Sequence, residues 1–211
     1  MSTKTYAALT GDLVKSRQAD EATVTQAFTA LQNAVIDFGK ARKRQLRFAR
    51  FRWDGWQVVV PAGDTLSAIL FILARLRATV PELATRIAVG VGEVRIPSTN
   101  DLSEASGPAL FTSGKLIEAI SPKRRLTIAG DGIGQAEVAI MDLIEFMTSG
   151  WTPTQAEAVA CALVANPRTH ESIANELGIT RQAVQSRLAG AGFAYLENAI
   201  YAFETHDFSS G

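Results

Sequence analysis

The spacing of apolar residues divides this chain into two unlike parts. Up to about residue 130, runs with strand character are interleaved with runs of helical spacing; beyond it only helical spacing remains. Tyr6–Leu13 reads as a buried strand ending in Gly-Asp. Asp20 opens a long helix to about Lys43, with Phe28, Leu31, Val35, Ile36 and Phe38 as its apolar positions. Leu46–Trp53 and Gly55–Val60 read as a hairpin closed at Asp54-Gly55, a dipeptide suited to tight turns. Asp64 is placed to cap a helix over Thr65–Ala78. Arg86–Ile96 alternates as a strand, Pro97–Ser103 is loop-like, Ala109–Ile120 suggests a helix and Leu126–Ala129 a short strand. The order β-α-β-β-α-β-α-β predicts an α+β sandwich with helices covering one face of a sheet.

From Gln135 to Glu204 the pattern is helical, punctuated at Ser149-Gly150, Asn166-Pro167, Gly178 and Gly190-Ala-Gly192. This predicts an α+β part over residues 1–132 and an all-α part over 133–211. Thr152-Pro-Thr-Gln155 is a helix start with the elements of a capping box, opening a helix to about Ala165. Thr169 then caps a short helix holding Ile173, Ala174 and Leu177. Gly178 permits the positive φ of a sharp turn, Ile179 plugs the corner, Thr180 caps the next helix, and Val184 and Leu188 face inward. Apolar residues at 173, 177, 179 and 184, with Ala174 where two helices touch, meet the requirements of a helix-turn-helix over about 169–189. The outer face of its second helix carries Thr180, Arg181, Gln182, Gln185 and Ser186, suited to base edges in the major groove, and Arg187, suited to a phosphate. The stretch Glu-Leu-Gly-Ile-Thr-Arg-Gln-Ala-Val resembles helix-turn-helix domains of the sigma-factor type. An apolar stripe follows at Phe193, Leu196, Ile200 and Phe203, which either packs internally or forms a dimer face.

Charge changes this picture. Lys+Arg and Asp+Glu balance at 21 each, and residues 151–211 hold three Arg against six acidic residues. Attraction to phosphate is therefore weak for one copy, and a dimer or basic surface from elsewhere in the chain is expected to compensate. The most basic run, Lys40, Arg42, Lys43, Arg44, Arg47, Arg50 and Arg52, contains no acid; as a strand it would place Arg50 and Arg52 on one face, able to grip phosphates. The single cysteine, Cys161, excludes an internal disulfide and is expected as buried filler. No run is long enough to span a bilayer and no signal peptide is evident, which predicts a cytoplasmic protein without membrane contact. His170 and His206 lack neighbours at metal-ligand spacing, so no zinc site is expected.

Three segments of the first part together resemble class III nucleotidyl cyclases, and more closely the SatD family: Gly11-Asp-Leu-Val-Lys-Ser-Arg17, Arg50-Phe-Arg-Trp-Asp-Gly55 and Arg86-Ile-Ala-Val-Gly-Val-Gly-Glu-Val94. The resemblance covers about residues 5–130. It implies a cyclase-like (ferredoxin-like or palm) sandwich and a homodimer. Asp12 and Asp54 match the two family aspartates that hold Mg or Mn with a bound nucleotide. Arg50 matches the base-reading position and Glu104 falls near its partner, which favours guanine. Where the family carries transition-state Asn and Arg, this chain has Phe111 and Lys115, and Trp53 replaces a glycine. The resemblance thus implies a catalytically degenerate domain whose ligand-binding positions are Asp12, Arg50, Arg52, Asp54, Glu104 and Lys115. Joined to a helix-turn-helix, it predicts a DNA-binding transcription regulator that dimerises, reads a palindromic operator in double-stranded DNA and senses a nucleotide or cyclic nucleotide. Two alternatives are a working cyclase with an accessory helical domain and a ligand-free dimerisation scaffold.

Overall fold

Alternation along the first strand sets the architecture. A computed structural model describes residues 5–96, 102–164 and 169–208. Strand β1 (Tyr6–Val14) lies at the centre of a five-stranded sheet with β2 (Phe48–Phe51), β3 (Gly55–Pro61), β4 (Ala84–Gly92) and β5 (Leu126–Gly130), in the order β2-β3-β1-β4-β5. β1 is antiparallel to both neighbours, and β5 runs parallel to β4. Ala7, Leu9 and Leu13 point into a core shared with α1 (Glu21–Ala41) and α2 (Thr65–Thr79). Ala8 points the other way, against Ala109 of α3 (Pro108–Ala119). Helices therefore cover both faces, not one as the element order suggested. Gly90 explains the difference: a Cβ there would lie 2.0 Å from the Ala109 carbonyl, so the bare glycine lets the backbone of α3 descend onto β4. The Thr10 and Ser113 hydroxyls then hydrogen-bond at 2.8 Å, and Gln57 donates to Thr10, tying α3 to two strands.

The first two turns of helix α2 have no polar face to give to solvent. Leu66, Ala68, Ile69, Leu70, Phe71 and Ile72 are all buried, as are its neighbours Thr65 and Ser67. A helix apolar all round must be covered all round. The sheet covers one side of α2, and α5 (Pro153–Val164), with α8 (Phe193–Thr205), covers the other. One continuous core consequently joins strand residues such as Leu9 and Val89 to Val159, Leu196 and Phe203 of the helical part. Arg77 of α2 reinforces this contact, donating to the Trp151 carbonyl at 2.9 Å in the link after α4 (Gln135–Ser149). Trp151 is itself buried and donates to the Ala191 carbonyl at 3.1 Å.

Local bonds and turns set several of the element ends. Asp20 accepts from the Thr23 amide at 2.8 Å, so it precedes α1, which stops at Ala41. Asp64 makes no cap bond at the start of α2; its buried carboxylate faces Arg42 and Arg44 at 3.5 and 3.3 Å. The hairpin strand is shorter than its apolar pattern suggested, because β2 ends at Phe51 and Arg52 turns to φ +57°. The expected loop at Pro97–Ser103 lies largely outside the described residues, apart from a 3-10 turn over Leu102–Glu104. The end expected for the fifth helix at Ala165 also lies outside them.

Candidate nucleic-acid interface and carboxylate site

Helices α6 (His170–Leu177) and α7 (Arg181–Gly190) are joined by Gly178, Ile179 and Thr180. Gly178 takes φ +64°, the left-handed conformation that ends α6, and the Ile179 amide returns to the Ala174 carbonyl at 3.0 Å. Thr169 and Thr180 cap their helices by accepting from the Ser172 and Ala183 amides, each at 3.1 Å. Ile173, Ala174, Val184 and Leu188 are buried between α5, α6 and α7, while Leu177 and Ile179 are half-buried. Preceding them, Thr152 and Gln155 form a reciprocal capping box: the Thr152 amide donates to Gln155, and the Gln155 amide donates to the Thr152 hydroxyl.

The outer surface of α7 presents Arg181, Gln182, Gln185 and Ser186 to solvent, with Thr180 exposed at its N-terminus. Arg181 borders an open depression with Thr169, His170 and Glu171. Arg187 differs from the expectation of a free phosphate ligand. Its guanidinium donates to Glu157 of α5 at 2.9 Å, an exposed pair that ties α7 to α5. Among the described residues, Arg181 is thus the exposed cation of this face. The stripe on α8 is also resolved: Leu196, Ile200 and Phe203 are buried within the chain and Phe193 is half-buried. Cys161 is half-buried rather than enclosed, its thiol 3.6 Å from Glu176.

A second polar cluster lies on the sheet face that bears α3. Asp12 stands opposite Gly55 on one side and Arg86 on the other. Arg86 grips the Asp12 carboxylate with Nε at 2.8 Å and with Nη2 on the second oxygen, a bidentate pair. These hydrogen bonds hold the guanidinium protonated more firmly than usual, against partial burial; the charges of Asp12 and Asp54 add to the effect. Asp54 is positioned by the chain itself, its carbonyl accepting from the Leu13 amide at 3.0 Å. Sequence reasoning missed Arg86, because its partner is set by the register of strands 74 residues apart.

These residues do not fit a divalent centre as they stand. A metal bound by Asp12 would break two charge-assisted hydrogen bonds, each worth about 1.5–3 kcal/mol. It would also sit beside an arginine, and two unit charges at 4 Å already repel by about 4 kcal/mol near a protein surface. Among the described residues, no group of three or more His, Cys, Asp and Glu is placed to hold a metal.

The remaining expected ligand positions are scattered. Arg50 stands opposite Trp56, on the α1 face of the sheet, with its guanidinium 3.8 Å from the Phe28 ring centroid and 3.3 Å from the Trp53 carbonyl. It is on the opposite face from Asp12. Arg52 does not share a strand face with Arg50, since its left-handed turn lies beyond the end of β2. Lys115 is exposed on α3, its ammonium 4.3 Å from the centroid of exposed Phe111. Glu104 is exposed at the end of its 3-10 turn, near β2. Within the basic run, Arg42 bridges Asp64 and Glu204 and Arg44 reaches Asp64, so both brace the fold. His206 is likewise a brace: its Nε2 lies 2.7 Å from the Gly132 carbonyl and its Nδ1 3.5 Å from Glu137.

Compared with protein-family models and with curated protein sequences, the chain matches none. No helix among the described residues is long and apolar enough to cross a membrane.

Proposed function

We propose that the protein is a DNA-binding transcription regulator acting as a homodimer, with α6 and α7 as its helix-turn-helix and α7 as the reading helix. The observation that carries this reading is the exposed row Arg181, Gln182, Gln185 and Ser186 on a short helix fixed by Thr180, Gly178 and the buried pair Val184 and Leu188. Arginine and glutamine on such a helix match guanine and adenine edges through paired hydrogen bonds. In this reading Arg181→Ala and Gln185→Ala lose base preference, each weakening the cognate site by about 1–3 kcal/mol while leaving the fold intact. Fluorescence anisotropy on cognate and scrambled duplexes reads the difference. Equal affinity and selectivity in both variants and the parent would remove α7 from the interface.

A homodimer answers the weak positive charge of this face, since two heads double the contacts and match half-sites about one DNA turn apart. The α+β part serves as the dimerisation and effector-binding part, in the cytoplasm, with a nucleotide or cyclic nucleotide as the effector. The active-cyclase alternative is disfavoured by Phe111, by Lys115 and by the Asp12–Arg86 pair. A thermal-shift panel of nucleotides, with and without Mg or Mn, tests the effector: an unshifted melting temperature throughout leaves this part a ligand-free scaffold. Metal-dependent turnover lost in Asp12→Ala would favour the cyclase.

A further inference from the structure

We infer that Arg86 is a tethered cation standing in for a divalent metal at the sheet end that bears Asp12 and Asp54, and that it is the residue that keeps metal out. The inference rests on placement. Asp12 and Arg86 face one another across β1 and β4, and both Asp12 oxygens are engaged. Gly55, opposite Asp12 on the other strand, contributes no side chain, and the Leu13–Asp54 backbone bond brings Asp54 to the same end of β1. The Asp12 carboxylate thus holds the guanidinium on the face carrying α3, where the charge of Asp54 also acts on it, with the Asp12 and Arg86 side chains 20% and 29% exposed. That exposure leaves the pair within reach of ions in solvent, so exclusion depends on the charge of Arg86 and not on burial. A bidentate guanidinium takes one lone pair on each carboxylate oxygen, and its positive charge repels a second cation brought to the lone pairs that remain. A divalent ion at Asp12 would sit beside that charge, and the arginine is anchored in β4 and cannot diffuse away.

The experiment is a titration of Mn2+ alone into the full chain, read by the loss of free-ion paramagnetic resonance signal. The parent is expected to bind no Mn2+ through Asp12, giving the same titration as Asp12→Asn. Arg86→Gln, which keeps a polar side chain but removes the charge, is expected to gain a site at least about tenfold tighter than any in the parent. That gain disappears when Asp12→Asn or Asp54→Asn is added. Arg86→Lys keeps the charge and is expected to stay metal-free. Far-ultraviolet circular dichroism confirms folding, and Arg86→Met, which preserves the stem, replaces Arg86→Gln if the latter unfolds. Mn2+ binding by the parent that is lost in Asp12→Asn would overturn the inference. So would a folded, charge-free Arg86 variant that gains no site. This result is independent of the DNA-binding reading, because it requires no DNA and no nucleotide.

Discussion

Gly11 has no room for a side chain. A Cβ there would fall 2.3 Å from Cε2 of Trp56, a ring buried across β3 and held by the bond from its Nε1 to Thr85 at 2.9 Å. Thr85 in turn donates to the Asp12 carbonyl at 2.8 Å, so the ring cannot retreat without breaking this chain of bonds. Gly11→Ala should therefore destabilise the protein by about 1–3 kcal/mol, the usual cost of overpacking, as measured by urea unfolding. Asp20 gives a pH-dependent counterpart. Hydrogen bonds from the Thr23 amide and hydroxyl hold its carboxyl below the usual carboxylate range. Its contribution is present above the ordinary value of 3.8 and is lost as pH falls through the lower folded-state value. Asp20→Ala should thus lower stability at neutral pH and flatten its dependence on pH between the ordinary and the folded-state values, in unfolding curves taken across the acid range. The pairing of Asp12 illustrates what a sequence withholds at this scale. The aspartate stood out beside its glycine, but whether it meets a metal or an arginine depends on the register of β1 with β4.

Helices α6 and α7 were legible because everything that defines them is local. Thr169, Gly178 and Thr180 act within three or four residues of themselves, and the inward residues repeat at helical spacing. The capping box at Thr152 and Gln155 was legible for the same reason. Thr180→Ala should cost about 1 kcal/mol by removing the bond to the Ala183 amide, read as a fall in the midpoint of thermal or denaturant unfolding. The hairpin was legible as an element but not in its length. An alternating pattern continues through Arg52 and Trp53, whereas the backbone turns left-handed at Arg52 and leaves Trp53 about half exposed. Covering both sheet faces was illegible because it hinges on Gly90, and a glycine in a strand does not announce which neighbour comes close.

At the scale of the molecule, α2 decides how the parts behave. Because the sheet and α5 pack on opposite sides of it, the sheet-bearing and helical parts share one core. Leu70→Ala, at a fully buried position, should cost about 2–5 kcal/mol. The loss of sheet and helix signals should coincide in one transition, and two separated transitions in the parent would contradict a shared core. The proposed dimer has an uncovered surface available on α4. Ala136, Ala139, Leu143 and Phe146 are exposed at alternating three- and four-residue spacing, the seam on which one helix meets a like helix. Asp142 and Glu145 on the same helix are turned to partners within the chain, Asp142 to Arg124 and Glu145 to the Arg125 and Leu126 amides. Phe146, 80% exposed, is the residue whose change to Glu should convert a dimer to a monomer of unchanged fold in light-scattering mass measurements. Reading of DNA by paired α7 helices is tested by sequencing random duplexes retained by the full chain at physiological salt. The expected result is enrichment of an inverted repeat with half-site centres about 10 base pairs apart, or a multiple of that, and no such enrichment with Arg181→Ala. Retention of DNA without any enriched sequence, or the same enrichment in parent and Arg181→Ala, would contradict it.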